Sequence, residues 1–165
     1  MLFRSCNKTN KLVDEKKIDT KYKIEINPSK LISKQLLTKA QEHEVVLKDK
    51  YRISENLNVV DMSNKDSSNK VFLEELEKNP DVIFQPYLYS KDFVGRLDFV
   101  KIVDDNLHII DAKLSSSIKT EHIMQLFVYR EILEIVTKKD VTECFLFLGD
   151  LQMHKVEFRS EEHTS

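Results

Sequence analysis

The chain reads as an α/β domain, a central mixed β-sheet flanked by α-helices. Stretches with helical apolar spacing alternate with short strand-like runs, the pattern of a sheet whose connections include helices. Two neighbouring strand-like segments, 93–103 and 107–114, are apolar on both faces, so each face needs a covering layer. With 165 residues, 41% hydrophobic and 33% charged, and only 2 Gly and 3 Pro, the composition is that of one ordinary mixed domain.

Composition also excludes several classes. Two glycines cannot build a Gly-rich nucleotide loop, and Cys6 and Cys144 alone supply neither a disulfide framework nor a four-thiolate metal site. A reducing compartment follows. No secretory signal is apparent, and apolar runs such as 145–148 and 132–136 fall far short of the roughly 18 residues that span a bilayer. The expectation is a soluble, intracellular protein (cytoplasm or nucleus) with no membrane partner. The small net charge of −2 hides an asymmetry: residues 1–50 hold 12 Lys and Arg against 7 Asp and Glu, whereas residues 51–165 hold 14 against 21. The basic part suits a polyanionic partner.

Residues 1–28 form a basic N-terminal segment with strand-like alternation at 22–26, closed by the turn Asn27-Pro28-Ser29. From Ser29 to about Tyr51 the apolar spacing is helical, and one stripe runs Leu37, Ala40, Glu44, Leu47, Tyr51. Glu44 lies on that stripe; Glu42 lies off it. A short strand at 57–62 leads through a polar loop to a helix over 70–78, stopped by Asn79-Pro80. Residues 81–89 read as one strand with Gln85 inside it and Pro86 at a bulge or edge, joined through Lys91-Asp92 to the strand 93–103. A helix over 119–138 follows the central hairpin. It is apolar over much of its circumference (Ile123, Leu126, Phe127, Ile132, Leu133) and carries a polar line, His122, Gln125 and Tyr129. Strands at 141–148 and 153–158 meet through Gly149-Asp150. The closing residues 161–165 carry no structural signal, which suits a chain that continues in something longer.

The hairpin holds the anomaly. Asp98, Asp111 and Lys113 sit inside runs that otherwise read as buried strand, and an ionised carboxylate buried without a partner costs several kcal/mol. With Asp104-Asp105 as a two-residue turn, Asp98 falls opposite Asp111; with Asp105-Asn106 it falls opposite Lys113. Either register puts all three on one face, where opposed residues are about 5 Å apart, a volume suited to one or two metal ions. Leu97, Phe99, Ile110 and Ala112 take the other face. Gly95, in the same strand as Asp98, permits either close approach of substrate or backbone, or bending of the sheet.

The order Glu44 on a helix, Asp98, Asp111-Ala112-Lys113, then Gln125-x-x-x-Tyr129 resembles the PD-(D/E)XK nuclease superfamily. Gly95-Arg-Leu-Asp98 and the Gln-x-x-x-Tyr helix are most similar to its RecB-like branch. The resemblance covers about 39–148, within a domain at 29–160, and implies a restriction-endonuclease-like core and metal-dependent hydrolysis of phosphodiesters, with DNA favoured over RNA. It implies that Glu44, Asp98, Asp111 and the Ala112 carbonyl hold Mg²⁺ or Mn²⁺, and that Lys113 orients or activates the attacking water or stabilises the oxyanion. Arg96, Gln125 and Tyr129 would contact substrate, with Gln85 supporting the ligands from behind. A helicase module or downstream domain is an expected partner. Two features depart from the family: Pro80-Asp81 sits at a helix end, one strand too early, and two cysteines cannot hold the iron–sulfur cluster of some relatives. A relative that only binds nucleic acid would be expected to have lost one of the four charged residues, all of which are present.

Overall fold

The structure, a computed structural model, describes residues 4–5, 30–65 and 68–158, with backbone alone for 4–5 and 30–33. Most of the N-terminal basic segment and the closing 161–165 lie outside the described residues. The elements are β1 (Arg4–Ser5), α1 (Lys30–Asp49), which runs on as a π-helical turn (Lys50–Ser54), β2 (Val59–Asp61), α2 (Asn69–Glu77), β3 (Val82–Phe84), β4 (Tyr87–Tyr89), β5 (Phe93–Arg96), β6 (Phe99–Val103), β7 (Asn106–Ala112), α3 (Thr120–Thr137), β8 (Val141–Phe147) and β9 (Met153–Val156). Six strands form a mixed sheet in the order β2-β3-β6-β7-β8-β9, parallel at β2/β3 and β7/β8 and antiparallel elsewhere. A second sheet runs β1-β5-β4.

Helices cover both faces of the large sheet, as the two-sided hairpin requires. On one face Leu47 of α1 and Tyr51 pack on Val82, Phe84, Phe99, Ile110, Ala112 and Phe147. On the other, α2 (Phe72, Leu76) and α3 (Leu126, Tyr129, Ile132, Leu133) pack on alternate residues of the same strands, including Ile83, Val100, Ile109 and Leu146. Alternation along each strand thus feeds two cores. Local chemistry sets the helix ends. The Ser68 side chain accepts the Val71 N–H to cap α2, and Lys138 closes α3 in the left-handed conformation with φ 57°. Among the described residues no helix is long and apolar enough to cross a membrane.

The β6–β7 hairpin adopts the first of the two expected registers, with Phe99 opposite Ile110 and Val103 opposite Asn106. Asp104 and Asp105 are the turn, and both take positive φ (50° and 66°), the requirement of the two-residue turn that matches strand twist.

Several expectations need correction. The strands 81–89 and 93–103 are each cut in two, and their outer halves belong to the small sheet. The register runs through the cut without a slip, since Phe84 faces Phe99 and Tyr87 faces Arg96. Gln85 N–H donates to the Asp98 carbonyl at 2.8 Å, and Leu97 N–H to the Pro86 carbonyl at 3.0 Å. One long hairpin therefore bends at Gln85-Pro86, where Gln85 has φ 53° and Pro86 cannot donate. The bend turns Leu97 away from Phe99 and into the α3-side core. Leu37 is 58% exposed, because α1 extends beyond its last contact with the sheet, and the stripe read through Leu37 buries only from His43 onward. Ile123 and Phe127 face outward from α3, together with Met124 and Ile135.

Candidate functional site

The bend creates the site. In a two-residue hairpin alternate pairs carry the ladder bonds, so beyond Phe99 the next such bond should use the Ala112 N–H. The backbone of Leu97 has turned to Pro86, and the Asp98 side chain takes its place: Ala112 N–H donates to Asp98 Oδ2 at 2.8 Å. Asp98 stands one residue past the last paired position of β6, the place opposite Asp111. Burial above all, then the negative charges of Asp111 and Glu44, push the Asp98 carboxyl well above its ordinary range.

Asp111 is buried at the end of β7, and its Oδ2 lies 3.0 Å from the Lys113 ammonium. The contact is poorly directed, and that oxygen receives no hydrogen bond. Lys113 spends its better geometry on Gln125, donating to Oε1 at 2.7 Å; Gln125 in turn donates to the Tyr129 hydroxyl at 2.7 Å. Gln125 and Tyr129, 3% and 1% exposed, are thus a wall built behind the lysine. Burial and the nearby charges of Asp111 and Asp98 raise the Tyr129 hydroxyl, which stays protonated as a donor. Gly95 fits this wall: a Cβ there would lie 2.5 Å from Tyr129 Cε1. Its lack of a side chain makes room for the tyrosine ring, neither of the two alternatives read from sequence.

Glu44 reaches the cluster from α1. Gln85 Nε2 donates to Glu44 Oε1 in a short hydrogen bond, and burial raises the Glu44 carboxyl, with Gln85 opposing and Asp111 adding to the rise. Gln85 also holds Arg96, whose Nη1 donates to the Gln85 carbonyl at 3.0 Å while its guanidinium lies over the Tyr87 ring. Two side chains expected at different stations, Glu44 and Arg96, therefore meet through one residue, Gln85, in a left-handed backbone conformation, which a non-glycine residue holds only where its surroundings impose it. His122 takes a different job from that of the polar line: its Nδ1 accepts the Lys119 N–H at 3.2 Å and closes the start of α3. Asp81, as expected, stands outside the site and accepts the Asn58 N–H at 2.7 Å.

Glu44, Asp98, Asp111 and Lys113, read from four separate positions in the sequence, are thus in electrostatic contact, with Gln85, Gln125 and Tyr129 around them. His43 was missed. It is buried, stacks on Phe147 at 4.6 Å, and places Nε2 2.9 Å from the Phe147 carbonyl. A histidine one helical turn before Leu47, beside the α1 stripe, was the available signal.

Among the described residues no group of three or more His, Cys, Asp or Glu is placed so as to hold a metal ion. The donor type nevertheless suits a hard divalent cation: the oxygens are carboxylate, Asp111 Oδ2 is buried without a hydrogen bond, and three acids act on one another with a single lysine at ion-pair distance from one of them. Fold and site together define a mixed-sheet α/β protein with a buried acid–lysine cluster at the bend of its central hairpin. No family model matches the chain, and no curated protein sequence is significantly similar to it.

Proposed function

We propose that this chain is a Mg²⁺- or Mn²⁺-dependent nuclease with a restriction-endonuclease-like core, hydrolysing phosphodiester bonds of DNA in repair, recombination or processing. One observation carries the reading: Glu44, Asp98, Asp111 and Lys113 converge where the hairpin bends, with excess negative charge and a buried carboxylate oxygen lacking a hydrogen bond. Such a cluster is costly to fold and is repaid by chemistry.

In this reading Glu44, Asp98, Asp111 and the Ala112 carbonyl hold the metal. A bound divalent ion supplies a water of lowered pKa and neutralises phosphate charge. Lys113 carries three N–H donors; one is given to Gln125, the ammonium lies 3.0 Å from Asp111 Oδ2 without a directed hydrogen bond, and the remaining donors can serve the attacking water or a phosphate oxygen. Gln125 and Tyr129 fix the lysine's direction, and the partial exposure of Lys113 opens the cluster to substrate. Arg96, held at Gln85, offers further N–H groups to a phosphate.

Labelled single- and double-stranded DNA and RNA, incubated with Mg²⁺ or Mn²⁺, test the reading and define the sugar. The expected result is metal-dependent cleavage of DNA that Asp111→Ala abolishes. Undiminished cleavage by that variant overturns the mechanism.

A further inference from the structure

Glu44 sits near the point where α1 leaves the sheet. Lys34 to Lys39, Gln41 and Glu42 are exposed, Ala40 is half-buried, and the next anchor beyond His43 is Leu47, a full turn away. Among the described side chains of the helix, His43 is therefore the outermost buried one. A carbonyl oxygen only accepts, so Nε2 carries the proton and donates to Phe147 O at 2.9 Å. That same oxygen accepts the Lys113 N–H, also at 2.9 Å. One carbonyl thus fixes both the helix that bears Glu44 and the strand end that bears Lys113.

We propose that His43 is a positioning residue of the site: its bond to Phe147 O sets Glu44 against Asp98, Asp111 and Lys113, and so sets the affinity for the divalent ion. This rests on the nuclease reading above. The ring's stacking and its N–H can be separated. His43→Phe keeps an aromatic face on Phe147 and removes the donor; His43→Gln keeps a donor and removes the ring.

The test measures the Mn²⁺ dependence of DNA cleavage for wild type, both variants and Asp111→Ala, with circular dichroism to confirm folding. His43→Phe should raise the Mn²⁺ concentration for half-maximal rate about tenfold or more, as loss of a partner behind a ligand does, and His43→Gln should return it to within about threefold of wild type. A purely structural role predicts instead that both variants shift thermal stability and leave the Mn²⁺ response unchanged. A wild-type response in His43→Phe, or equal impairment in both, overturns the proposal. Should His43→Phe not fold, His43→Leu, which also removes the donor, takes its place and is read by the same criteria: a roughly tenfold weakening that His43→Gln does not share sustains the donor role, and an unchanged response overturns it. If wild type itself shows no metal-dependent cleavage, the nuclease reading fails and this inference falls with it; if wild type cleaves and Asp111→Ala does not, a failure at His43 is its own.

Discussion

Each end of the β6–β7 hairpin carries an aspartate at ion-pair distance from a lysine: Asp111–Lys113 at 3.0 Å and, at the turn, Asp105–Lys139 at 2.9 Å. The side chain of Asp105 is 88% exposed and that of Asp111 only 3%. Equal distances therefore conceal opposite energetics. At the turn water screens both charges, and such pairs contribute about 0–1 kcal/mol. At the bend the charges are largely out of water, and the Asp111 that Lys113 meets acts in turn on two further carboxyls, Asp98 and Glu44. The Asp98 carboxyl, raised well above its ordinary range by burial and by Asp111 and Glu44, registers that imbalance. Separation alone does not show what an ion pair does; the surroundings do.

Removing the buried partner should have the largest effect, and on activity rather than folding. Asp111→Ala is expected to reduce metal-dependent cleavage by about 10³-fold or more, and Lys113→Ala by about 10²-fold, the scale on which single stabilising groups act on a transition state. In metal-free buffer the thermal midpoint of Asp111→Ala should be no lower than wild type, because Asp98 and Glu44 lose a like charge beside them. A strongly lowered midpoint with retained cleavage would make Asp111–Lys113 a structural pair after all.

The wall behind Lys113 gives the next effect. Gly95→Ala places a methyl 2.5 Å from Tyr129 Cε1, and Tyr129 is buried on all sides. Overpacking of this kind destabilises by about 1–3 kcal/mol. The ring must shift and loosen the hydrogen bond from Gln125, so cleavage should also slow by about tenfold. Denaturant unfolding and initial rates measure the two effects, and an unchanged rate in a destabilised protein would separate the wall from the site.

Much of this contrast was legible in the sequence. Turn chemistry and residue parity put Asp98 opposite Asp111, and the register holds. Both faces of the hairpin asked for helices and received them. The expected helix over 119–138 is α3 to within one residue at each end. What could not be read has physical causes. Nothing local announces that Gln85 takes a positive φ, since Pro86 biases its predecessor towards extended backbone; the bend arises because the two halves pack on different neighbours. Apolar spacing in α1 continues through Leu37, but spacing does not encode where the sheet ends, so Leu37 is exposed while His43 is buried. Gly95 was visible as a gap, although its occupant, Tyr129, lies far along the chain.

A third pair stands between the extremes. Asp61 meets Lys48 at 2.5 Å with its side chain 30% exposed, and also accepts hydrogen bonds from the backbone and hydroxyl of Ser63. Burial pushes this carboxyl upward, but the bonds from Lys48 and Ser63 prevail and set it to about 2. A carboxyl lowered on folding stabilises above its unfolded value of 3.8 and loses that contribution as pH falls through about 2. Asp61→Asn should therefore lower the thermal midpoint near neutral pH, and the wild-type and variant curves should draw together below about 3.8 and meet only at about pH 2 or lower. The bond joins α1 to β2 one helical turn on from Glu44, and the hydrogen bonds to Asp61 come from Lys48 and Ser63, so cleavage at neutral pH should change far less than in Asp111→Ala. Parallel curves down to pH 2 would mean that Asp61 acts through its shape and not its charge.

The smallest effect belongs to the turn. Asp105→Asn keeps a residue that tolerates the φ of 66° and removes only the charge facing Lys139. The thermal midpoint should move by no more than about 1–2 °C, because exposed pairs contribute so little, and the shift should fade in molar salt as screening lengths shrink. Cleavage should match wild type at every Mn²⁺ concentration. A double-mutant cycle with Lys139→Met isolates the pair from side effects of either change. If its coupling approaches that of a cycle through Asp111 and Lys113, then burial is not what distinguishes the two ends of the hairpin, and the charge imbalance at Asp98 needs another origin. If it is close to zero, an aspartate–lysine contact of nearly the same length is nearly inert in water, and the buried one owes its importance to the two further carboxylates it leaves unbalanced.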